Sequence, residues 1–258
     1  MTELLSDSLD LSILWTWFLL LVRASALLWV LPGIGTSEVP DMIRGSVAIV
    51  LSAAIALACD RAPMPSNLID GGLMVTVEFM LGYLLGAIPL FILSGLAVSG
   101  QVTNGAIGLG QANMIDHSLG EQVSVLSKIE MTIGTIIFLL IDGHHAVIRA
   151  FAGIDGNVRL GTFTTDMSTA DILIDRFRAT FELAVITSAP ILVTLLVTNF
   201  VLGLLTKAVP QINIFIISLP LTIGVGLYII AFTFPGLTEN VVQEFQLLEE
   251  LLVTLVTK

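Results

Sequence analysis

An all-α, membrane-associated fold of several proline- and glycine-broken helices is what this chain predicts, on three observations. Charged residues make up 12% of the 258 positions and hydrophobic ones 55%, against about 25% charged in an ordinary soluble domain. The mean hydropathy is +0.98, too high for a water-facing surface around a core of this size. Apolar runs recur between clusters of proline and glycine, with no ten-residue blocks of alternating polarity, which argues against a membrane barrel. Backbone groups in lipid must be satisfied within their own segment, so the runs are helices.

The first run, 11–31, follows the acidic stretch "MTELLSDSLD". A secretory signal begins with basic residues, so this run reads as an uncleaved membrane segment, long enough for a hydrocarbon core of about 30 Å. It carries Arg23, and "PGIGTSEVP" closes it. The run 42–58 is of marginal length and ends beside Cys59, the only cysteine, which excludes an internal disulfide and any CxxC motif. "DRAPMPSN" separates it from 73–98, which contains Glu78 and Pro89. Ionisable groups at membrane depth are costly and face protein or water, so Arg23 and Glu78 are expected to be packed inside protein. The run 131–141 is too short to cross a bilayer, whereas 183–205 and 212–234 are long enough. Because one segment is so short, the distribution of Lys and Arg between loops fixes no orientation.

From 238 the pattern changes. Val241, Phe245, Leu248, Leu252 and Leu255 recur at helical spacing, with Glu239, Gln243, Glu250 and Thr254 on other faces. Pro235 and Gly236 break the preceding segment and Thr238 caps a new helix in this reading. The expected organisation is therefore a helical body over 1–237 and an amphipathic helix over 238–258, within one domain. That helix is acidic, so it docks on protein rather than on anionic lipid.

Two stretches invite chemistry. "SGQVTNGAIGLGQANMIDHSLGE", 99–121, mixes five glycines with isolated apolar residues. It reads either as a surface loop or as a loop that lines or closes a conduit, since irregular backbone at membrane depth is tolerated only against protein or a water-filled cavity. "LLIDGHHAVIRAF", 139–151, holds two of the three histidines. Adjacent helical residues diverge by about 100°, so His144 and His145 are not expected to share a metal ion. A proton relay with Asp142 is a second reading. The third is structural, with Asp142 and Gly143 ending one helix and the imidazoles hydrogen-bonding across helices or at an aqueous boundary. No GxSxG, HExxH, Walker or GxGxxG motif precedes a suitable helix, so neither an enzyme nor a bound cofactor is expected. The net charge of −11 and the scattered Lys and Arg argue against nucleic acid.

Three blocks together carry a resemblance. "VPDMIRGSVAIVLSAAIAL", "QVSVLSKIEMTIGTIIFLLIDGHHAVIRA" and "LTKAVPQINIFIISLPLTIGVGL" occur in this order along the chain. In order and spacing they resemble the FliR/SctT family of type III secretion export-gate subunits, over nearly the whole length except the tail. The resemblance implies a non-enzymatic subunit of the bacterial inner membrane and flagellar basal body. It would join copies of FliP and FliQ in a helical assembly, with FlhB around the entrance and FlhA delivering unfolded flagellar substrates. It also implies an internal plug. The matching stretch is about 106–122, and its residues, with the glycine just before it, are Gly105, Ile107, Gly108, Leu109, Gly110, Met114, Asp116 and Gly120. Many relatives carry proline after the aspartate, where this chain has His117. Asp142, Gly143, His144, His145, Pro210, Gln211 and Asn213 belong to family blocks to which the resemblance gives no chemical role, so the structural reading stands for them.

Two other functions are compatible with an apolar helical chain. The homologous subunit of virulence injectisomes shares the architecture. A small-solute or ion transporter would show internal repeats with paired broken helices, and 11–98 set beside 131–234 shows none.

Overall fold

The computed structural model describes residues 11–35, 39–109, 124–153, 160–161, 167–208 and 214–256. Among them are seven helices: α1 (Leu11–Val30), α2 (Asp41–Ala56), α3 (Leu68–Ile107), α4 (Val125–Leu140), α5 (Gly143–Ala152), α6 (Met167–Ala208) and α7 (Ile214–Val256). No strand occurs in the described residues. Four helices are long and apolar enough to cross a membrane: α1, α3, most of α6 and Ile216–Leu248 of α7. The chain divides into two compact units. The first comprises Met1–Leu90, Phe138–Asp175 and Phe245–Lys258; the second comprises Phe91–Ile137 and Arg176–Glu244.

In the first unit α1 and α2 pack together, and α1 meets the early part of α3 by backbone contact. A side chain at Gly82 would collide with the carbonyl of Arg23, and one at Gly86 would lie 2.8 Å from the carbonyl of Leu27. Small residues at such a spacing let two helix axes approach, and the gain is dispersion contact along both helices. Leu19, Ala24 and Leu27 of α1 and Leu81, Leu85 and Ile88 of α3 are accordingly buried. The hydroxyl of Thr16 accepts from the N–H of Ala62 at 2.9 Å and donates to the carbonyl of Ser12 at 2.7 Å. One side chain thus fastens the α2–α3 connection.

The second unit uses the same device. A Cβ at Gly95 would lie 2.7 Å from the Thr180 carbonyl, and one at Gly100 would lie 2.5 Å from Cα of Ser127. The approach brings hydroxyls to carbonyls across helices: Ser127 donates to Ala97 at 2.8 Å and Thr180 to Phe91 at 3.2 Å. Elsewhere threonine and serine hydroxyls donate back to their own helix, as Thr194 does to Pro190 and Thr198 to Thr194, each at 2.8 Å. This internal pairing removes the cost of carrying hydroxyls in an apolar setting.

Three of the apolar runs, 73–98, 183–205 and 212–234, belong to much longer helices, α3, α6 and α7. Pro89, Pro190, Pro220 and Pro235 lie inside helices and end none of them. Proline removes one backbone donor and frees a carbonyl four residues earlier, a loss that a buried apolar helix can absorb through neighbouring helices and hydroxyls. The sequence predicted that Pro235 and Gly236 break the chain before 238; instead the helix runs through them unbroken. Thr238 caps nothing; its hydroxyl donates to Phe234 at 2.8 Å and Pro235 at 2.9 Å within a continuous helix. The amphipathic pattern itself is realised: Val241, Phe245, Leu248 and Leu252 are buried, while Glu239 and Gln243 are exposed. The side chains of Glu250, Thr254 and Leu255 lie outside the described ones.

Gly82→Ala gains about 1 kcal/mol of helix propensity but meets a backbone carbonyl, and overpacking of this kind costs about 1–3 kcal/mol. The variant should lose thermal stability in detergent. Gly72→Ala, whose Cβ meets nothing within 4 Å, should be neutral or stabilised by up to about 1 kcal/mol. Melting curves that rank the two variants the other way would remove close backbone approach as the organising contact.

Candidate functional site

The glycine-rich stretch begins as helix. The sequence predicted irregular chain from 99, but α3 continues to Ile107 because tertiary contacts outweigh the helix cost of its glycines. Ile107 is fully buried, and its Cγ1 would lie 2.5 Å from a Cβ at Gly226, so the absent side chain of α7 is the notch that Ile107 fills. Thr222, one turn earlier on α7, donates to the carbonyl of Ile107 at 3.2 Å. That satisfies one of the last carbonyls of α3, which no helical N–H can reach. Ile107 joins Leu126, Ile191 and Leu195 in a buried cluster, with Ala106, Leu109, Ile223, Val225, Ile229 and Ile230 packed around it.

The helix stops at Gly108, which has φ +91° and donates to the carbonyl of Gly105 at 3.2 Å. An L side chain rarely adopts that conformation, so glycine there ends the helix and redirects the chain. Gly105 faces outward with open space around it. Of the residues expected in a closing loop, Gly105, Ile107, Gly108 and Leu109 are thus placed at its root. Gly110, Met114, Asp116 and Gly120 lie outside the described residues.

The second unit also buries a carboxyl that the sequence reading did not single out. Glu130 of α4 is 5% exposed, and its Oε2 has no hydrogen-bond partner among the described residues. Burial pushes its pKa up to about 7 from 4.5, with Ser99 acting weakly in the opposite direction without closing a hydrogen bond of full geometry. The charged form is the one penalised by desolvation, so the folded state holds the proton across a range where the unfolded chain releases it. Stability therefore falls as pH rises from about 4.5 to about 7 and is level above that. Glu130→Gln should flatten this dependence in thermal melts taken between pH 5 and 8, which are chosen to bracket the raised value (about 7). An unchanged profile would place the titration elsewhere.

In the first unit, Asp142 turns the chain between α4 and α5. It has φ +59° and ψ +25°, a left-handed conformation that aspartate tolerates better than most residues. Its carbonyl accepts from His145 N–H at 2.9 Å and Ala146 N–H at 3.3 Å, starting α5. Gly143 is buried because a Cβ there would lie 2.5 Å from the ring of Phe138. The Asp142 carboxylate meets His145 Nδ1 at 3.0 Å. Asp142 and Gly143 were expected to end one helix; α4 ends at Leu140, and Asp142 and Gly143 instead begin α5. The expected divergence of the imidazoles does not occur: the rings of His144 and His145 lie 4.1 Å apart at 34°. Backbone divergence is offset by side-chain torsions, which spacing alone does not reveal. Of the last family block, Pro210, Gln211 and Asn213 lie outside the described residues.

Arg23 and Glu78 are both buried, as expected, and they find each other. Arg23 Nε donates to Glu78 Oε2 at 2.5 Å, and Arg23 Nη1 to the Phe151 carbonyl at 3.2 Å. Glu78 Oε1 accepts from the N–H of Gly161 at 2.6 Å. One ion pair thus ties α1 and α3 to the end of α5 and to Gly161. The sequence placed one cation and one anion in two apolar runs, which was the available signal for this pairing. Removing one partner of a buried pair strands the other charge and costs about 3–5 kcal/mol, whereas apolar replacement of both is often tolerated. Glu78→Ala should therefore lower the yield and melting temperature sharply, and Arg23→Met/Glu78→Leu should recover part of the loss. A double variant no better than Glu78→Ala would contradict the pair as the source of the effect.

Comparison with known proteins follows this geometry. The family model described as bacterial export proteins, family 1, matches residues 14–248. A flagellar biosynthetic protein FliR of Aquifex aeolicus is 26% identical over 247 residues, covering 95% of this chain and 94% of the relative. One from Bacillus subtilis is 28% identical, covering 81% and 82%. One from Escherichia coli is 24% identical, covering 83% and 82%.

Proposed function

The chain belongs to the bacterial export proteins, family 1, and we propose that it is a subunit of the flagellar type III export gate in the bacterial inner membrane. Relatives along most of its length carry flagellar names, which favours this reading over a virulence injectisome. In this reading it assembles with FliP and FliQ at the flagellar basal body, with FlhB and FlhA as neighbours on the cytoplasmic side. Unfolded flagellar subunits pass through the assembly. The work is transport, without bond chemistry.

The observation that carries the mechanism is the end of α3. Ile107 is locked into the groove of α7, and Gly108 immediately turns the chain. The segment that follows therefore starts from a fixed root with a pivot beside it. Its composition suits a yielding stopper. Met114 is adaptable because its chain is unbranched and polarizable, and an apolar constriction can block ions by dewetting. A closure worth a few kcal/mol is displaced when an entering chain supplies as much, since each ~1.4 kcal/mol shifts populations tenfold.

Partner subunits have a surface to cover. In the apolar window of α7 only 11% of residues are buried, and in that of α6 only 28%. Ile217, Tyr228 and Phe232 of α7 and Phe200 of α6 are exposed. The chain should consequently aggregate when expressed alone and co-purify in one particle with FliP and FliQ.

The root also dictates how the stopper is tested. Ile107 is core, so a deletion must begin after Leu109. Removing 110–118 should leave the complex assembled but leaky, read as ion conductance in reconstituted bilayers. A complex that assembles and stays as tight as the parent would mean that this segment is not the closure.

A further inference from the structure

We propose that Asp142, His144 and His145 form a binding site for one divalent transition-metal ion of the zinc, cobalt or nickel class. The inference goes beyond the export reading and does not depend on it. One ligand atom from each of the three side chains can be chosen so that all lie within 4.8 Å of one another. Ligands at about 2.0–2.2 Å from a tetrahedral ion sit about 3.5 Å apart, so modest side-chain rotation closes the set. The pair Asp142 Oδ1 and His145 Nδ1, at 3.0 Å, is already there.

Two further observations point to a ligand. His144 Nδ1 is shielded from solvent and has no hydrogen-bond partner among the described residues, a state that calls for a reason in a native protein. Beside Asp142 and His145, though not lined by His144, is an open cavity of about 290 Å³ that Arg149 and Phe245 also line. It leaves space for water ligands, which three protein donors require to complete a coordination shell.

The donor set selects the ion. Two imidazoles and one carboxylate suit borderline metals, whereas calcium and magnesium want oxygen throughout. Affinity is held down by two features. The N-terminus of α5 carries about half a positive charge, and Arg149 adds another cation at the rim. The Asp142 carboxylate offsets one of these. A site with three protein donors and open positions should exchange its ion, in contrast to a closed four-ligand structural zinc.

The test uses the full chain co-expressed with its gate partners, purified in detergent on a tag without histidine and stripped with chelator. Cobalt(II) is titrated and its visible d–d absorption followed. One cobalt per copy of this chain is expected, displaced by zinc. His144→Asn and His145→Asn should each weaken binding at least tenfold, and His117→Asn should leave it unchanged. Absence of saturable cobalt binding, or binding unchanged in the His144→Asn/His145→Asn double variant, would overturn the site. Should the variants fail to assemble, the parent complex decides by residue-resolved carbethoxylation of histidines. Zinc should protect His144 and His145, and equal modification with and without zinc would equally overturn it.

Discussion

Close backbone approach between apolar helices is the constraint on which the rest of this structure depends. Helices surrounded by hydrocarbon gain nothing from burying apolar side chains against each other, because lipid is as apolar as leucine. What remains is dispersion at short range, hydrogen bonds between helices and buried charge pairs. α3 shows all three. Gly82 and Gly86 admit α1 in one unit, and Gly95 and Gly100 admit α6 and α4 in the other. Where backbones come that near, hydroxyls such as those of Ser127 and Thr180 reach carbonyls of the neighbouring helix. The Arg23–Glu78 pair adds a charged tie that no lipid-facing position would allow.

The same packing sets where the regular structure stops. Two helix junctions with positive-φ backbone sit against a fixed wall. Gly108 turns the chain one residue after Ile107 fills the Gly226 notch, and Asp142 turns it beside the ring packing of Phe138 and Phe245, whose centroids are 5.2 Å apart. Asp142, which is not glycine, is held left-handed because its surroundings over-determine it, whereas Gly108 takes its positive φ without strain. Firm helices therefore position short, conformationally specialised junctions. In the export reading the first of these junctions carries the closure, and the second presents Asp142 and His145 to an open cavity.

Much of this was legible in the residues. The scarcity of charge and the absence of alternation gave an all-helical membrane chain. The stripe of Val241, Phe245, Leu248 and Leu252 gave a protein-facing helix, and isolated charges in apolar runs marked Arg23 and Glu78 as buried. Helix lengths were less legible, because Pro89, Pro190, Pro220 and Pro235 look like stops and become stops only when nothing compensates for the lost hydrogen bond. The glycines of 99–107 misled for the related reason that a glycine's helix cost is local whereas the contact it permits is not. The pairing of Arg23 with Glu78 and the burial of Glu130 depend on distances across the fold, and the close approach of the two imidazoles depends on side-chain torsions; periodicity along the chain carries no information about either.

The central claim is that the chain pivots at Gly108 while Ile107 stays seated on α7. A disulfide tests it, because Ile107 Cβ lies 3.5 Å from the position of a Cβ at Gly226, within the range of about 3.5–4.5 Å that a disulfide spans. Ile107→Cys/Gly226→Cys should cross-link in the assembled gate on mild oxidation, and export of flagellar subunits should continue in the cross-linked form. Failure to cross-link in an assembled complex would contradict the seat. Export that stops on oxidation and resumes on reduction would show that the root itself must move, and the pivot would then lie elsewhere.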